Sequence, residues 1–252
     1  MKKRNTLRTI LLVCFTAVFL FSLYKVVSIR LRYSTENKTI GAVQEDYTHV
    51  ITESDDVTDI PEDVQEIGLV VDFDALLNKN KDVIGWVYLE GTKINYPVAQ
   101  SSDNNDYLRT GVDRRYSWYG TPFADMKCDG IAGSLNTIIY GHNMNNGMMF
   151  GSLVNYRKQS YYDEHKELVI LTPEKNYRLV IVSANVVSAY HEIYSRVNGE
   201  ACYNTICELK AKSDIKTGVE ISKDDRFVTL STCSLAYDDA RQLVIGKLVE
   251  ME

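Results

Sequence analysis

The sequence predicts a mostly β fold, built as a largely antiparallel barrel or sandwich, behind an apolar N-terminal segment. Short apolar runs rich in β-branched and aromatic residues alternate with Gly, Asn and Asp clusters, a pattern typical of about six to eight strands joined by turns. Seventeen tyrosines against seven phenylalanines favour strands with many half-exposed aromatic positions. A hydrophobic content of 45% with 25% charged residues is typical of an ordinary globular protein.

The N-terminal segment predicts a membrane anchor. Basic residues cluster in residues 1–8, and the run "TILLVCFTAVFLFSLY" that follows at 9–24 carries no charge. Extended to Ile29, the run reaches about 20 residues, which is the length that a bilayer core requires. A cleaved signal peptide is the competing interpretation, but such peptides have apolar runs of about 7–15 residues and an A-x-A-like site, which is absent here. We therefore expect residues 9–29 to form a transmembrane anchor.

Charge on the two sides of this run predicts its orientation. Four basic residues precede the run, whereas Lys25, Arg30 and Arg32 come at its end and after it. The excess of positive charge on the N-terminal side favours a cytoplasmic N-terminus at residues 1–8. We expect a single-pass protein of the cell membrane whose body is extracellular.

A polar and acidic segment, residues 30–66, separates the anchor from the folded domain. Its few large apolar side chains predict a juxtamembrane stalk that is partly disordered. The folded domain is expected to occupy residues 67–252. It should open with a helix that Asp72 caps and that ends near Asn80.

The strands of this domain are predicted from its apolar runs. The segment "TPEKN" between two of them has the composition of a hairpin turn. Two interruptions, at about 146–163 and about 196–212, are expected to be helices or long loops, which commonly carry function when they leave a strand frame. The predicted strands lie in "IGWVYLE", "KINYPVAQ", "NTIIYGH", "ELVIL", "NYRLVIVSANVVSAY", "RFVTLSTC" and "QLVIGKLVE".

Charge and cysteine content exclude several classes of function. The net charge of −6 comes without a Lys/Arg stripe, so no nucleic-acid partner is expected. No Cys/His spacing matches a zinc site, so we predict no metal and no cofactor. Cys14 lies within the predicted anchor, and Cys128, Cys202 and Cys207 are expected to be free, half-buried thiols. A Cys202–Cys207 bridge is the alternative, although a spacing of five residues on a helix points the two side chains to different faces.

The remaining cysteine, Cys233, has the setting of a nucleophile because a clear strand precedes it and a turn follows. A thiol reacts as the thiolate and therefore needs a base or a cation nearby. Of the four histidines, His142 follows a buried-type strand directly, in a Gly-His-Asn turn. His49 lies in the stalk, His165 lies in a charged segment, and His191 follows a strand and could face a cleft. For any single histidine, a hydrogen-bonded structural role is the alternative.

Arg241 opens the strand that follows Cys233. An acyl-transfer site needs a nucleophile, an acid–base group and a donor for the developing oxyanion. Cys233, His142 and Arg241 supply one of each, and Arg suits the third role because it stays protonated and presents a planar fork of donors. The alternative is a surface salt bridge with Asp238 or Asp239.

These motifs together resemble the sortases, the cysteine transpeptidases of Gram-positive bacteria. "TLSTC" followed by an arginine at the next strand start carries the resemblance, as does the order of anchor, His, Cys and Arg. "GWVYLEGTKINYPVAQSSDNNDYL" and "YGHNM" are similar to class B sortases in particular. The resemblance covers about residues 68–250 and implies an eight-stranded β-barrel with an N-terminal helix and a helix-containing insertion before the last strands.

The resemblance also implies an activity. Sortases cleave a sorting motif near the C-terminus of a secreted protein after its Thr and form a thioacyl-enzyme. An amine of a cell-wall peptide precursor, or a pilin lysine, then resolves it. Asn104, Leu108 and Ser231 would line the groove for the sorting peptide, and Tyr194 lies in the segment expected to cover it. No calcium site is expected.

Two other functions remain open at this point. A cysteine peptidase that hydrolyses the same motif would share the first half-reaction. A non-catalytic, membrane-anchored binding module would hold Cys233 as an inert thiol. The exact sorting motif, the acceptor amine, and the choice between wall anchoring and pilus assembly do not follow from the sequence.

Overall fold

In the computed structural model, which describes residues 2–52, 58 and 60–251, eight strands close into a barrel. A separate two-stranded sheet precedes it. The strands are β1 Thr48–Val50, β2 Leu69–Val71, β3 Val83–Tyr88, β4 Asn95–Ala99, β5 Phe123–Ala124, β6 Asn136–Tyr140, β7 Glu167–Leu171, β8 Asn176–Ser188, β9 Arg226–Cys233 and β10 Ala240–Glu250.

The helices lie at the N-terminus and in the connections between strands. The predicted opening helix is confirmed, and the Asp72 side chain accepts a hydrogen bond from Ala75 N. The predicted helical insertion before the last two strands is also present. The helices are α1 Lys2–Tyr47, α2 Glu62–Ile67, α3 Phe73–Lys79, α4 Gln159–Glu164 and α5 Gly199–Ala211, with 3-10 segments at Asp106–Leu108, Gly151–Arg157 and Glu192–Tyr194.

The barrel follows the order β10–β8–β7–β3–β4–β5–β6–β9, and β9 pairs with β10 to close it. Two neighbouring pairs, β4–β5 and β6–β9, are parallel, and the other pairs are antiparallel. The prediction of a mostly antiparallel barrel is therefore confirmed. The two-residue strand β5 was not predicted because it is too short to show alternation.

The first helix is longer than the predicted anchor and continues to Tyr47. Residues 30–47 are thus helical, where the sequence analysis expected a partly disordered stalk. This stretch contains no proline and one glycine, Gly41, so little in it opposes helix formation. Within the described residues, this helix is long and apolar enough to cross a membrane by length and composition, and its apolar window is not buried by the rest of the protein.

Part of the predicted stalk also belongs to the compact unit that contains the barrel. That unit begins at Gln44, ahead of the expected domain start at residue 67. The strand β1 pairs antiparallel with β2, with Thr48 opposite Val71. Gln44 Nε2 donates to the carbonyl of Asn95 over 2.7 Å. Residues 53–57 and 59 of the predicted stalk lie outside the described residues.

Helix α5 covers part of the outer face of the barrel. Its buried residues Cys202, Ile206 and Leu209 form one apolar cluster with Phe227 of β9 and Leu243 of β10. Each fully buried side chain of this size contributes roughly 1.5–3 kcal/mol through removal of apolar surface from water. This packing attaches α5 to strands β9 and β10.

Candidate active site

Strand pairing places Cys233 directly opposite Arg241. The two residues are partners in the antiparallel β9–β10 ladder, so their side chains share a face with Cβ atoms about 4.5–5.5 Å apart. Residues two apart on a strand also share a face, and Phe227 and Leu243 on these rows pack against α5. Cys233 and Arg241 therefore lie on the outer face of the barrel, at the end of the row, where Cys233 is exposed.

Strand β6 brings His142 to the same edge. It runs parallel to β9, with Tyr140 paired to Ser231. His142 and Cys233 each come two residues further along, so they leave the sheet at the same level. The pairing extends past the strand end because Gly141 N donates to the Ser231 carbonyl over 3.1 Å.

Three contacts hold the turn that follows β6. Thr232 Oγ1 donates to the Gly141 carbonyl over 2.6 Å, and Asn143 Nδ2 donates to the Cys233 carbonyl over 2.8 Å. A Cβ at Gly141 would lie 2.6 Å from the Phe150 ring, so only glycine permits this close approach. The residues on both sides of His142 are thus hydrogen-bonded to the last two residues of β9.

The ring of His142 is fixed by the main chain of a neighbouring segment. Its Nε2 lies 2.8 Å from the carbonyl oxygen of Leu108. Burial lowers the pKa of His142 below its ordinary value, the Leu108 carbonyl opposes this shift, and the charge of Arg109 adds to it. The neutral ring is therefore favoured near neutral pH.

Within the part of the chain that the structure describes, Arg241 forms no surface ion pair. Its Nη1 donates to the carbonyl of Ala240 over 3.1 Å. Among the residues that the structure describes, neither Asp238 nor Asp239 pairs with it. An arginine side chain has five N–H donors, and this hydrogen bond uses one of them. The guanidinium can therefore also donate to a bound group.

These residues border a cleft with a volume of about 420 Å³. All six predicted site residues line it: the three candidate catalytic residues and the three predicted to bind the peptide. Tyr194, which the sequence analysis named without assigning it a role, lies there as well. The residues that line the cleft include Asn104, Tyr107, Leu108, Asp125, Tyr140, His142, Tyr194, Ser231, Cys233 and Arg241.

A polar network crosses the cleft wall. The hydroxyls of Tyr194 and Ser231 are hydrogen-bonded over 2.8 Å, and the Tyr140 and Tyr194 rings stack with centroids 6.0 Å apart. Tyr140 donates to Asp125 Oδ2 over 2.8 Å, which also accepts from Asn104 Nδ2 over 3.1 Å. Burial, the largest cause, raises the pKa of Tyr194 to about 12, so its hydroxyl stays protonated near neutral pH.

Sequence reasoning did not identify Asp125 or Tyr140 as site residues. Asp125 follows the short strand β5 and belongs to no motif, and it becomes buried only through the pairing of β5 with β6. Tyr140 ends a predicted strand. Its position just before the Gly-His-Asn turn was the available signal, because the last residue of a strand shares the edge with the turn.

The other cysteines occupy different surroundings. Cys128 and Cys202 are buried free thiols, and Cys207 is a half-buried free thiol, so the alternative Cys202–Cys207 bridge does not form. Burial is the largest cause that raises the pKa of Cys128 and of Cys202 to about 11. In the described part of the chain, no group of three His, Cys, Asp or Glu residues is arranged to hold a metal ion.

The other histidines lie away from the cleft. His191 lines a separate pocket of about 230 Å³ beside α5, and its Nδ1 accepts from Ile193 N over 3.2 Å. His191 thus faces a pocket, but not the one that Cys233 and His142 line. The His165 ring stacks on Tyr161 with centroids 4.3 Å apart, and His49 belongs to strand β1.

Comparison with known proteins identifies close similarity over most of this chain. The sortase domain family matches residues 87–249. Sortase B of Staphylococcus aureus is 35% identical over 184 residues, which are 71% of this chain and 75% of that protein. Sortase B of Listeria monocytogenes is 29% identical over 253 residues, 99% of each chain.

Solved structures agree with this similarity. The S. aureus sortase B–substrate complex has a TM-score of 0.66 at 35% identity, over 71% of this chain and 85% of that chain. Sortase B from B. anthracis has a TM-score of 0.72 at 28% identity, over 88% of this chain and 99% of that chain.

Proposed function

This chain belongs to the sortase family, similar to its class B members, and is a cysteine transpeptidase; we propose that it is a membrane-anchored sortase that joins secreted proteins to a cell-wall amine. It would cleave a C-terminal sorting motif after Thr and pass the acyl group to the amine of a cell-wall peptide precursor. The observation that carries this proposal is the convergence of Cys233, His142 and Arg241 at the ends of β9, β6 and β10 around one cleft.

Cys233 is the nucleophile of this proposal. Its thiolate would attack the carbonyl carbon of the Thr, and collapse of the tetrahedral intermediate would break the peptide C–N bond to leave a thioester. His142 would give its proton to the departing amine and later take one from the incoming amine. That amine would displace the thiolate, so the C–S bond breaks as the new amide forms.

The protonation states in this mechanism follow from the surroundings of His142. Because burial lowers its pKa, the ring that can donate a proton is the minor form near neutral pH. The reactive enzyme would hold His142 protonated and Cys233 as thiolate at the same time. Such a minor population supports catalysis when the proton transfer that it permits is efficient.

Arg241 would stabilise the oxyanion. It is paired with Cys233 across the β9–β10 ladder, so the two side chains share a face and the guanidinium would be within reach of the carbonyl that the thiolate attacks. Donors that are already aimed at the developing charge lower the barrier without reorganisation. Lysine would keep the charge but lose the planar fork of donors.

The rest of the cleft would bind the sorting peptide. Asn104, Leu108 and Ser231 line it, and Tyr194 is hydrogen-bonded to Ser231. Leu108 presents an apolar side chain to the cleft, whereas the other three present polar groups. The S. aureus relative has been crystallised as a sortase B–substrate complex, which supports a peptide-binding role for the corresponding cleft.

The N-terminal helix would anchor this enzyme at the cell membrane. It contains one segment long and apolar enough to cross a bilayer, and the basic residues at 1–8 favour a cytoplasmic N-terminus. In this arrangement the chain would cross the membrane once, and the barrel would act on secreted proteins at the outer surface of the membrane.

Product analysis tests the proposal. The full-length chain in detergent would be incubated with a panel of sorting-type peptides, with and without an added amine such as triglycine, and the products would be identified by mass spectrometry. A transpeptidase yields a peptide–amine ligation product. Hydrolysed peptide alone, at saturating amine, would show a peptidase instead, and no cleavage of any peptide would favour a binding module.

A further inference from the structure

A main-chain carbonyl, rather than a carboxylate, holds the ring of His142. The carbonyl oxygen of Leu108 lies 2.8 Å from Nε2, and no Asp or Glu of the described residues forms an ion pair with this ring. A carbonyl oxygen can only accept a hydrogen bond, so Nε2 must carry a proton. In the neutral ring Nδ1 is then the basic nitrogen.

We propose that the Leu108 carbonyl orients His142 for proton transfer, and that Gly120 and Tyr107 are positioning residues that hold this carbonyl in place. The inference rests on the proposed function, in which His142 moves the protons of both half-reactions. The main chain would thus take the part that a carboxylate plays in other nucleophile–histidine sites, where it fixes the tautomer and orientation of the ring.

Gly120 is packed directly against the carbonyl in question. It adopts a left-handed conformation with φ of +62°, and a Cβ at this position would lie 2.3 Å from the Tyr107 oxygen and 2.8 Å from the Leu108 oxygen. Both neighbours are backbone atoms, which cannot move aside as a flexible side chain can. Any side chain at position 120 must therefore displace the carbonyl that holds His142.

Tyr107 ties the same segment to the barrel. It belongs to the 3-10 segment that ends at Leu108, and only 1% of its surface is exposed. Its hydroxyl donates to Asp82 Oδ2 over 2.8 Å and accepts from Asn80 Nδ2 over 2.9 Å and from Arg114 Nη1 over 2.8 Å. Three partners for one buried hydroxyl fix the tyrosine, and with it the carbonyl of the next residue.

The side chain and the carbonyl of Leu108 have separate tasks in this proposal. The side chain is 37% exposed and lines the cleft, so it meets the peptide. The carbonyl meets the His142 ring. Substitution of the side chain by alanine leaves the carbonyl in place, and this separates the two roles experimentally.

Loss of the carbonyl contact has a predictable electrostatic sign. The contact favours the protonated ring, whereas burial and the Arg109 charge oppose it, so displacement of the carbonyl should lower the pKa of His142 further. Gly120→Ala and Tyr107→Phe leave the other charged or titratable groups that line the cleft unaltered. These groups are Asp125, Lys127, Tyr140, Tyr194, Cys233 and Arg241.

The test compares Gly120→Ala and Tyr107→Phe with two controls in the full-length chain. Gly218→Ala is the matched control, because Gly218 has a φ of +68° but no atom within 4 Å of a built Cβ. Leu108→Ala is the second control. Nitrogen-15 NMR of histidine-labelled protein, with the signal assigned through His142→Gln, would report the tautomer and pKa of the ring beside kcat, KM and the pH profile of kcat/KM.

We expect wild type to hold His142 with its proton on Nε2 when neutral. Gly120→Ala should mix the tautomers, move the His142 limb of the pH profile to lower pH and reduce kcat by about 10²-fold, as a misplacement of about 1 Å can. Tyr107→Phe removes the three hydrogen bonds of the buried hydroxyl and should act in the same direction by about tenfold or more. Leu108→Ala should raise KM while the tautomer stays on Nε2, and Gly218→Ala should change neither.

An unaltered tautomer and pH profile in folded Gly120→Ala and Tyr107→Phe would overturn the inference, as would a neutral wild-type ring with its proton on Nδ1. The NMR measurement needs no substrate. A wild-type enzyme that cleaves no peptide would therefore defeat the proposed function, while the tautomer would still decide the role of the Leu108 carbonyl.

Discussion

The cleft at the ends of β6, β9 and β10 and the layer beneath α5 each hold cysteine, in opposite surroundings. In the cleft, Cys233 is exposed and lies opposite Arg241. In the layer, Cys202 is fully buried and packs with Phe227. Burial there raises the pKa of the Cys202 thiol to about 11. The surroundings of a thiol, rather than its intrinsic chemistry, separate a candidate nucleophile from a packing residue.

One face of strand β9 contributes residues to both regions. Phe227, Thr229, Ser231 and Cys233 alternate along β9 and point outward together. The first packs against α5, and the last two line the cleft. A single row thus passes from apolar core to polar site within the length of one strand, so the packing that stabilises the barrel also positions the cleft.

The largest expected effect comes from removing the cleft thiol. Cys233→Ala should reduce kcat/KM by about 10⁴-fold or more, because no other group in the cleft can form the thioester. Cys202→Ala, the matched control, should keep kcat within about twofold because it lies outside the site. Steady-state peptide cleavage measures both. Comparable losses in the two variants, with both folded, would mean that the two thiols do not differ as described.

Thiol alkylation distinguishes the exposed cysteine from the buried ones without any substrate. At about pH 8, a pKa of about 11 leaves roughly one thiolate in a thousand at Cys128 and Cys202, and burial restricts access as well. Cys233 should therefore react more than about a hundredfold faster than either, because its side chain is exposed to the reagent. Time-resolved peptide mapping with iodoacetamide would follow each site. Equal rates at the three sites would contradict the assignment.

Arg241→Lys tests the partner that strand pairing gives to Cys233. The substitution keeps the charge and removes the fork of donors, so kcat should fall by about 10²-fold, the cost of one oxyanion donor. KM should change less, because the interaction is strongest in the transition state. Retention of near-parental kcat/KM would remove Arg241 from the oxyanion role.

The smallest effect is on stability, where Cys202→Ala should have the larger consequence and Cys233→Ala the smaller. Cys202→Ala should lower the free energy of unfolding by about 1–2 kcal/mol because it leaves a small cavity beneath α5. Cys233→Ala should change it by less than about 0.5 kcal/mol because the side chain is exposed. Denaturant unfolding of both variants measures the difference. A larger loss at Cys233 would show that the cleft thiol is also a packing group.

Much of the barrel could be predicted from the sequence because its strands carry local signals. Strands β9 and β10 are long and apolar; β9 ends at Cys233, and β10 begins at Ala240, one residue before Arg241. The convergence of Cys233, His142 and Arg241 was predicted from strand ends and from the family resemblance, and the structure brings the three to one edge. Their catalytic roles remain predictions.

The parts that could not be predicted depend on contacts between distant segments. Strand β5 is defined by the pairing of Phe123 with Tyr140, and the small sheet by the pairing of β1 with β2 across the predicted stalk. The hydrogen bond from His142 to the Leu108 carbonyl joins residues 34 apart in the chain. Every residue has a main-chain carbonyl, so no sequence pattern can reveal which carbonyl accepts this hydrogen bond.

The most direct test of the whole account is the location of the acyl group on the enzyme. The full-length chain, with all five cysteines intact, would be mixed with a cleavable sorting peptide, quenched in acid and mapped by mass spectrometry. We predict one acyl group, on Cys233, which disappears when an amine is added. An acyl group on Cys128, Cys202 or Cys207, or peptide cleavage that persists in Cys233→Ala, would contradict the account.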